Sequence, residues 1–397
     1  MGKKKLDLNS NKLSKSIESA VDWLVKSGIQ NTKSHKKGSV NAWYDIKRKK
    51  YSFIYSEING YFLTMMVFLY NNTKDKKYLD YAILSANWLI KYALHKNGGF
   101  KCLFLIDKKS LHAFKQNQIY SFDNGVILNG LVSLYKITKK NYLLKSAIKC
   151  GNWITNYCID KNDYVKPVYD VSENKFFESD KEWSLTSSSY HTKIATGLIN
   201  LYSVTKQKKY LENAKKICNR SLQFQTKNGR FISFPFRGGT NAHPHCYSAE
   251  GLWCVGTYLK EKKYLKASKK ATKWILSKLN KDGKIPRLYF KEKMIFHERL
   301  DAVSQVIRLS FLNSSKQNNS DFDIRKIKKL INLLLKYQNS KSDNIKIKGS
   351  FYWGKTSNGK QMKHPNSWVT FFAIQALFMY RNYANDQKLK IDSFDLV

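Results

Sequence analysis

The chain has 397 residues, with 71 Lys or Arg against 29 Asp or Glu and a formal net charge of +42. Its 42% hydrophobic and 14% aromatic content is ample for a core, and five prolines are too few for linkers or disordered tails. Only nine of the basic residues are Arg, so the charge reads as a solvated lysine surface and not as the guanidinium-rich face of a nucleic-acid reader; no nucleic-acid partner is expected, although so positive a molecule gathers anions such as acidic glycans or phosphorylated lipids.

In chain order, MGKKKLDLNSNKLSKS at residues 1–16 has the basic start of a secretory leader without its apolar stretch, so a cytoplasmic protein is expected. An amphipathic helix is predicted around residues 12–27, with Leu13, Ile17, Ala20, Val21 and Leu24 on one face. A more continuously apolar helix follows in NGYFLTMMVFLYNNT; its run YFLTMMVFLY is too short to span a bilayer, so no membrane insertion is expected. After a short polar turn comes KKYLDYAILSANWLIKY, where Leu79, Ala82, Ile83, Ala86 and Ile90 have the spacing of one helical face.

This pair is written again and again. NGVILNGLVSLYKIT precedes NYLLKSAIKCGNWITNY, KIATGLINLYSVT precedes KKYLENAKKICNRSLQF, and EGLWCVGTYL precedes KKYLKASKKATKWILSK. AVSQVIRLSFL and SWVTFFAIQALFMY are two further apolar members. Leu79, Leu144 and Leu265 are each followed nine residues on by Trp88, Trp153 and Trp274. A helix apolar on most faces is buried on most faces, so buried and half-buried helices alternate with a period of about 55 to 70 residues, a helical-hairpin array. The first helix is of the outer type and the last, around residues 366–384, is of the inner type. Pairing these two mismatched ends closes six hairpins into an all-α (α/α)6 toroid, a single domain over residues 1–397. An open solenoid would need polar capping helices at its ends, and the final helix is among the most apolar.

In such a ring the short turns lie at one end and the long connections at the other. The long ones, including NAWYDIKRKKYSFIYSE, YVKPVYDVSENKFFESDKEWSLTSSSYH and NGRFISFPFRGGTNAHPHCYSAE, are aromatic, Gly-bearing and β-flavoured. Each ends where an inner helix begins, which gathers six helix N-termini with their unpaired N–H groups around one mouth. The residues at these starts are Tyr55 and Glu57; Tyr120 and Asp123; Tyr190 and His191; His243, His245, Tyr247 and Glu250; His297, Glu298, Arg299 and Asp301; and His364 with Trp368. Five of the chain's eight histidines fall here. Any one acid alone reads as a helix cap or first-turn acid; capping does not account for the His, Tyr and Arg beside them. Arg230, Arg237, Arg287 and Arg299 stand in or beside two mouth connections of a chain that otherwise uses Lys, and their forks suit carboxylates. Rim aromatics such as Trp43, Tyr44, Trp183, Tyr289, Tyr352, Trp353 and Trp368 suit stacking on sugar rings or packing of the loops.

The six cysteines, at 102, 150, 158, 218, 246 and 254, form no CxxC pair and read as buried thiols of a reducing compartment. His243, His245, Cys246 and Cys254 offer zinc-type ligands, but Pro244 parts the histidines, Cys254 lies about two turns down the helix, and no second Cys/His pair has ligand spacing. No metal and no cofactor are expected.

The segments YSEINGYFLTMM, YSFDNGVILNGLVSLY, SSYHTKIATGLINLY, HPHCYSAEGL, RLDAVSQVIRL and HPNSWVTFFAIQAL give the chain a resemblance, over nearly its whole length, to the six-hairpin glycosidase superfamily. It is most similar to members associated with polysaccharide gene clusters, and the superfamily includes unsaturated uronyl hydrolases, N-acylglucosamine epimerases and relatives of glucuronyl C5-epimerases. The resemblance implies an Asp at an inner-helix start for the hydrolases, matched by Asp123. For the epimerases it implies an H-x-H with a following Glu, which HPHCYSAE resembles with a longer spacing to Glu250. The expected function is a carbohydrate-active enzyme acting on an acidic, uronic-acid-type saccharide by acid–base catalysis, glycoside hydrolase-like. Asp123 would be its acid or water activator, and Glu57, Glu250, Glu298 or Asp301 the opposing carboxylate. The alternative is an epimerase or lyase in which His245, His191 or Tyr247 takes a proton and Arg237 or Arg299 steadies the charge. Tyr190, His243, His297, His364 and Trp368 complete the expected substrate-binding set. A non-catalytic glycan-binding or assembly protein is the remaining reading.

Overall fold

A computed structural model describes residues 10–33, 36–104, 116–314, 322–387, 389 and 391–397. The leader reading of residues 1–16 and the connection between residues 98 and 124 therefore fall partly outside the described residues. Among those described, twelve α-helices follow one another: α1 (Ser10–Lys26), α2 (Ser56–Thr73), α3 (Lys77–Trp88), α4 (Ser121–Thr138), α5 (Asn141–Trp153), α6 (Thr192–Thr205), α7 (Lys208–Leu222), α8 (Ala242–Leu259), α9 (Lys262–Ser277), α10 (Leu300–Leu312), α11 (Ile324–Lys336) and α12 (Ser367–Ala384). None is long and apolar enough to cross a membrane.

The two helix types separate as their composition dictates. Every residue of α2 from Ser56 to Leu69 is buried, whereas α11 buries only the stripe Ile327, Leu330, Ile331, Leu333 and Leu334. The even-numbered helices form an inner ring in which α2 touches α4, and so on through α6, α8, α10 and α12, and α12 touches α2. The odd-numbered helices form the outer layer, and α1 packs on α12, so the first and last helices make the sixth hairpin. The chain is an (α/α)6 toroid.

Short antiparallel strands in the long connections lace neighbouring hairpins together. Thr240–Asn241 pairs with Leu288–Phe290 of the following connection, Ile54–Tyr55 pairs with Leu103–Phe104, and Gln118–Tyr120 pairs with Val168–Asp170. A bridge between Trp43 and Asn366 ties the first connection to the last. At the other end of the ring, residues 391–397 fold inward. Phe394, Leu396 and Val397 are buried, and Phe394 packs on Tyr258 and under Lys136, near the C-terminal ends of α8 and α4.

The inner ring is drawn tight by glycine. A Cβ on Gly125 would stand 2.5 Å from Ile194 Cα, and one on Gly197 would stand 2.5 Å from the Gly125 carbonyl oxygen, so α4 and α6 approach backbone to backbone. Backbone cannot yield as a side chain can, and Gly197→Ala is expected to lower stability by about 1–3 kcal/mol. Gly239→Ala, where the nearest atom is 3.4 Å away, is expected to stay within about 0.5 kcal/mol; urea denaturation of the two variants measures the difference.

Candidate active site

Five of the six inner helices share one starting register. Tyr55, Tyr120, Asn241, Arg299 and Asn366 are the N-caps of α2, α4, α8, α10 and α12. The second helical residues are then Glu57, Phe122, His243, Asp301 and Trp368, the third include Asp123, and the fourth include Asn59, Asn124, His245 and Thr370. A helix turns about 100° per residue, so second and fourth residues point to nearly opposite sides. The second position meets the ring axis and the fourth meets the outer layer.

In α2, α4, α8 and α12 the fourth-position side chain clips the helix to the connection before it. Asn59 Oδ1 accepts from Val40 N at 3.1 Å, Asn124 Oδ1 from Phe100 N at 2.7 Å, His245 Nδ1 from Phe231 N at 3.1 Å and Thr370 Oγ1 from Phe351 N at 3.1 Å. With Nδ1 accepting, His245 carries its proton on Nε2 and donates it to Ala271 O at 3.1 Å.

The other positions surround a cavity of about 400 Å³ at the mouth. Trp43, Tyr55, Tyr120, Trp183, Tyr190, Trp353 and Trp368 are among the aromatic residues of its wall, and its polar groups include Glu57, Asp123, Glu182, His243 and Arg299. Glu57 is only 8% exposed, and Trp368 Nε1 donates to its Oε2 at 3.2 Å. Burial lifts the Glu57 carboxyl to about 7, against the hydrogen bonds and the Arg299 charge that pull it down. Asp123 is 3% exposed; burial first and its charge next hold the Tyr55 and Tyr190 phenols well above their ordinary range, as neutral donors. Arg299 grips Asp301 with two bonds of 2.9 Å, Nε to Oδ1 and Nη2 to Oδ2, and lies 4.7 Å over the Trp353 ring. Burial disfavours the Asp301 charge, yet Arg299 and His243 hold its carboxyl below the ordinary range. Burial, then Arg299, pushes His243 down to about 3, so its ring is neutral.

Of the predicted residues, Glu57, Asp123, Tyr190, His243, Arg299, His364 and Trp368 line the cavity. Asp301 lies behind Arg299, and Tyr247 lies behind His243, its ring 4.3 Å away and its hydroxyl accepting from Tyr61 at 2.7 Å. Six others are not brought there. His245 is a fourth-position clip. His191 is turned to its own turn, its Nδ1 against Ser188 O at 3.1 Å, and burial pushes it down to about 3. Glu250 sits two turns down α8 in a buried ion cluster with Arg308 and with Lys193 at 3.6 Å. Glu298 is held outside the cavity by Lys284 at 2.6 Å and Lys355 at 3.2 Å. Arg237 is an exposed partner of Asp180 at 2.8 Å, and His297 packs on Gly359 with Nδ1 2.8 Å from Ser357 O. An H-x-H pair on a helix cannot present both rings to one side, which is why His243 and His245 part company. Glu182, Phe53, Phe122, Met362 and Asn366 line the cavity without having been foreseen; for Glu182 the available signal was its place beside the rim residue Trp183. Among the described residues no three His, Cys, Asp or Glu side chains are grouped to hold a metal ion.

The raised Glu57 carboxyl has a cost that can be measured. Folded, it ionises only near pH 7, while the unfolded chain ionises from about 4.5, so its contribution is fully present below pH 4.5 and lost as pH rises to about 7. Glu57→Gln removes this loss. Relative to wild type, the variant is expected to gain on the order of 3 kcal/mol between pH 4.5 and pH 8, measured by denaturation at the two pH values.

Comparison with known proteins places this geometry. A model of glycosyl hydrolase family 76 matches residues 111–247, about a third of the chain. An uncharacterized protein of Caenorhabditis elegans is 30% identical over 112 residues, 28% of this chain and 15% of that relative, so the chain spans only a small part of the length of the curated protein it matches. The solved cellobiose 2-epimerase of Bacillus thermoamylovorans B4167 superposes with a TM-score of 0.76 at 13% identity, over 94% of this chain and 99% of that one. A D-mannose isomerase gives 0.72 at 12% identity, over 95% and 99%. The unsaturated glucuronyl hydrolase of Bacillus sp. GL1, responsible for the degradation of glycosaminoglycan, gives 0.66 at 11% identity, over 93% and 96%. At these identities the likeness to the solved proteins is one of fold. The chain has the (α/α)6 fold of these solved proteins.

Proposed function

We propose that the protein is an enzyme that acts on sugars, and that its chemistry is acid–base catalysis by Glu57 and Asp123 in the mouth cavity. The observation that carries this reading is Glu57 itself, a buried carboxyl held at about 7 in an aromatic-walled cavity that also holds Asp123. A carboxyl that is still protonated near neutral pH can give its proton to a departing glycosidic oxygen while an ionised partner assists water or the sugar from the other side. The match to a glycosyl hydrolase family over residues 111–247, which include Asp123, supports hydrolysis.

The lining favours a neutral saccharide over the uronic-acid-type one expected from the sequence. Among the lining residues one guanidinium, Arg299, faces three carboxyl groups, Glu57, Asp123 and Glu182, and that guanidinium already holds Asp301. Among the described residues no lysine lines the cavity.

A second reading has its own observation. His243 lines the cavity as a neutral ring, and cellobiose 2-epimerase and D-mannose isomerase share the fold; proton transfer at a sugar carbon by His243 is the reaction it supports.

NMR of the protein with neutral and acidic oligosaccharides in D2O separates these readings. Hydrolysis gives new reducing ends, with kcat reduced roughly 100- to 10,000-fold by Glu57→Gln and by Asp123→Asn and with activity declining above pH 7 as Glu57 ionises. Deuterium entering a carbon beside the carbonyl without cleavage, lost in His243→Ala, establishes the second reading. No turnover across the panel contradicts both.

A further inference from the structure

A line of buried hydrogen bonds leaves the cavity wall through His243. Its Nδ1 lies 2.7 Å from Gln305 Oε1, Gln305 Nε2 donates to Glu250 Oε2 at 3.1 Å, and Glu250 Oε1 accepts from Arg308. Arg308 Nη1 donates on to Gln375 Oε1 at 2.7 Å and to Val397 O at 3.0 Å. Gln305, Glu250 and Arg308 are fully buried and His243 is 3% exposed, so water does not substitute for any partner.

The polarity of this line follows from its inner end. Arg308 and Lys193, whose Nζ is 3.6 Å from Glu250 Oε2, keep Glu250 as an acceptor. An ionised carboxylate accepts only, so Gln305 must turn its amide nitrogen towards Glu250 and its carbonyl oxygen towards His243. A carbonyl oxygen also accepts only, so the facing Nδ1 must carry the ring proton. An opposing pull exists on the other side of the ring. Asp301 Oδ2 stands 3.6 Å from His243 Nε2 and would draw the proton there, but it already accepts from Arg299 at 2.9 Å.

We propose that Gln305, oriented by Glu250, is a positioning residue that fixes His243, a residue of the cavity lining, as its Nδ1–H tautomer with an unprotonated Nε2. This rests on the placement of His243 in the sugar site and specifies what that residue offers a ligand: an acceptor for a sugar hydroxyl, or a base, in place of an N–H donor. It also gives Glu250, far down α8, a function in the site that it does not line.

The test is long-range 1H–15N correlation on protein labelled with 15N-histidine at pH 7.5, with the His243 signals assigned by their loss in His243→Gln. The expected wild-type pattern is a protonated Nδ1 and an unprotonated Nε2. In Gln305→Leu the proton is expected to move to Nε2, towards Asp301, and Glu250→Gln, which frees the Gln305 amide to flip, is expected to give a mixture. A wild-type Nε2–H tautomer or imidazolium, or an Nδ1–H tautomer that survives Gln305→Leu, overturns the proposal. Should the variants fail to fold, the wild-type pattern alone decides. On a turned-over substrate Gln305→Leu is expected to lower kcat about 10- to 100-fold with KM little changed. Absence of any turnover bears on the enzymatic reading and leaves the tautomer result standing, so the two failures are distinguishable.

Discussion

The hydrogen bond from Trp368 to Glu57 crosses the seam at which the ring closes. Trp368 opens the last inner helix and Glu57 the first, 311 residues apart in sequence, and they meet because α12 packs beside α2 and Asn366 bridges Trp43. Everything proposed for the site depends on that closure. An open array of the same hairpins would leave Glu57 in water, with a carboxyl near its ordinary value and no cavity around it. Elsewhere in the same inner ring, backbone approach at Gly125 and Gly197 draws α4 and α6 together.

The large positive charge and the polar site are separate matters. Lysines occupy outer faces and even the left-handed caps at Lys74, Lys139, Lys206 and Lys260, where φ of 61°, 56°, 58° and 57° would suit glycine better. Inside, charge is sparse and specifically paired: Arg299 with Asp301, and Arg308 and Lys193 with Glu250. Such buried pairs are weak contributors to stability but strong constraints on geometry, and here they set which way Gln305 and His243 face.

Much of the architecture was legible because it is written in periodicity. Alternating apolar-all-round and one-sided helices identified inner and outer layers, and mismatched ends identified a ring; both features survive in the packing of α1 on α12. The mouth was legible as a list of helix starts. What could not be read was the rotation of each helix about its axis within that list. A shift of two residues separates Glu57, His243 and Trp368, which meet the cavity, from Asn59, His245 and Thr370, which hold connections in place. The inward fold of residues 391–397 was also missed, since Phe394, Leu396 and Val397 carry no periodic signal in so short a segment. Glu182 escaped because a carboxylate in a connection is ordinary until the fold turns it inward.

The most direct measurement is the ionisation of Glu57 in the folded protein, followed by 13C NMR of glutamate side-chain carboxyls from pH 4 to pH 9 and assigned by comparison with Glu57→Gln. A closed ring with Glu57 buried against Trp368 predicts a carboxyl that titrates near pH 7. Titration near 4.5 would show a solvated carboxylate at an open mouth, and would contradict the acid–base site.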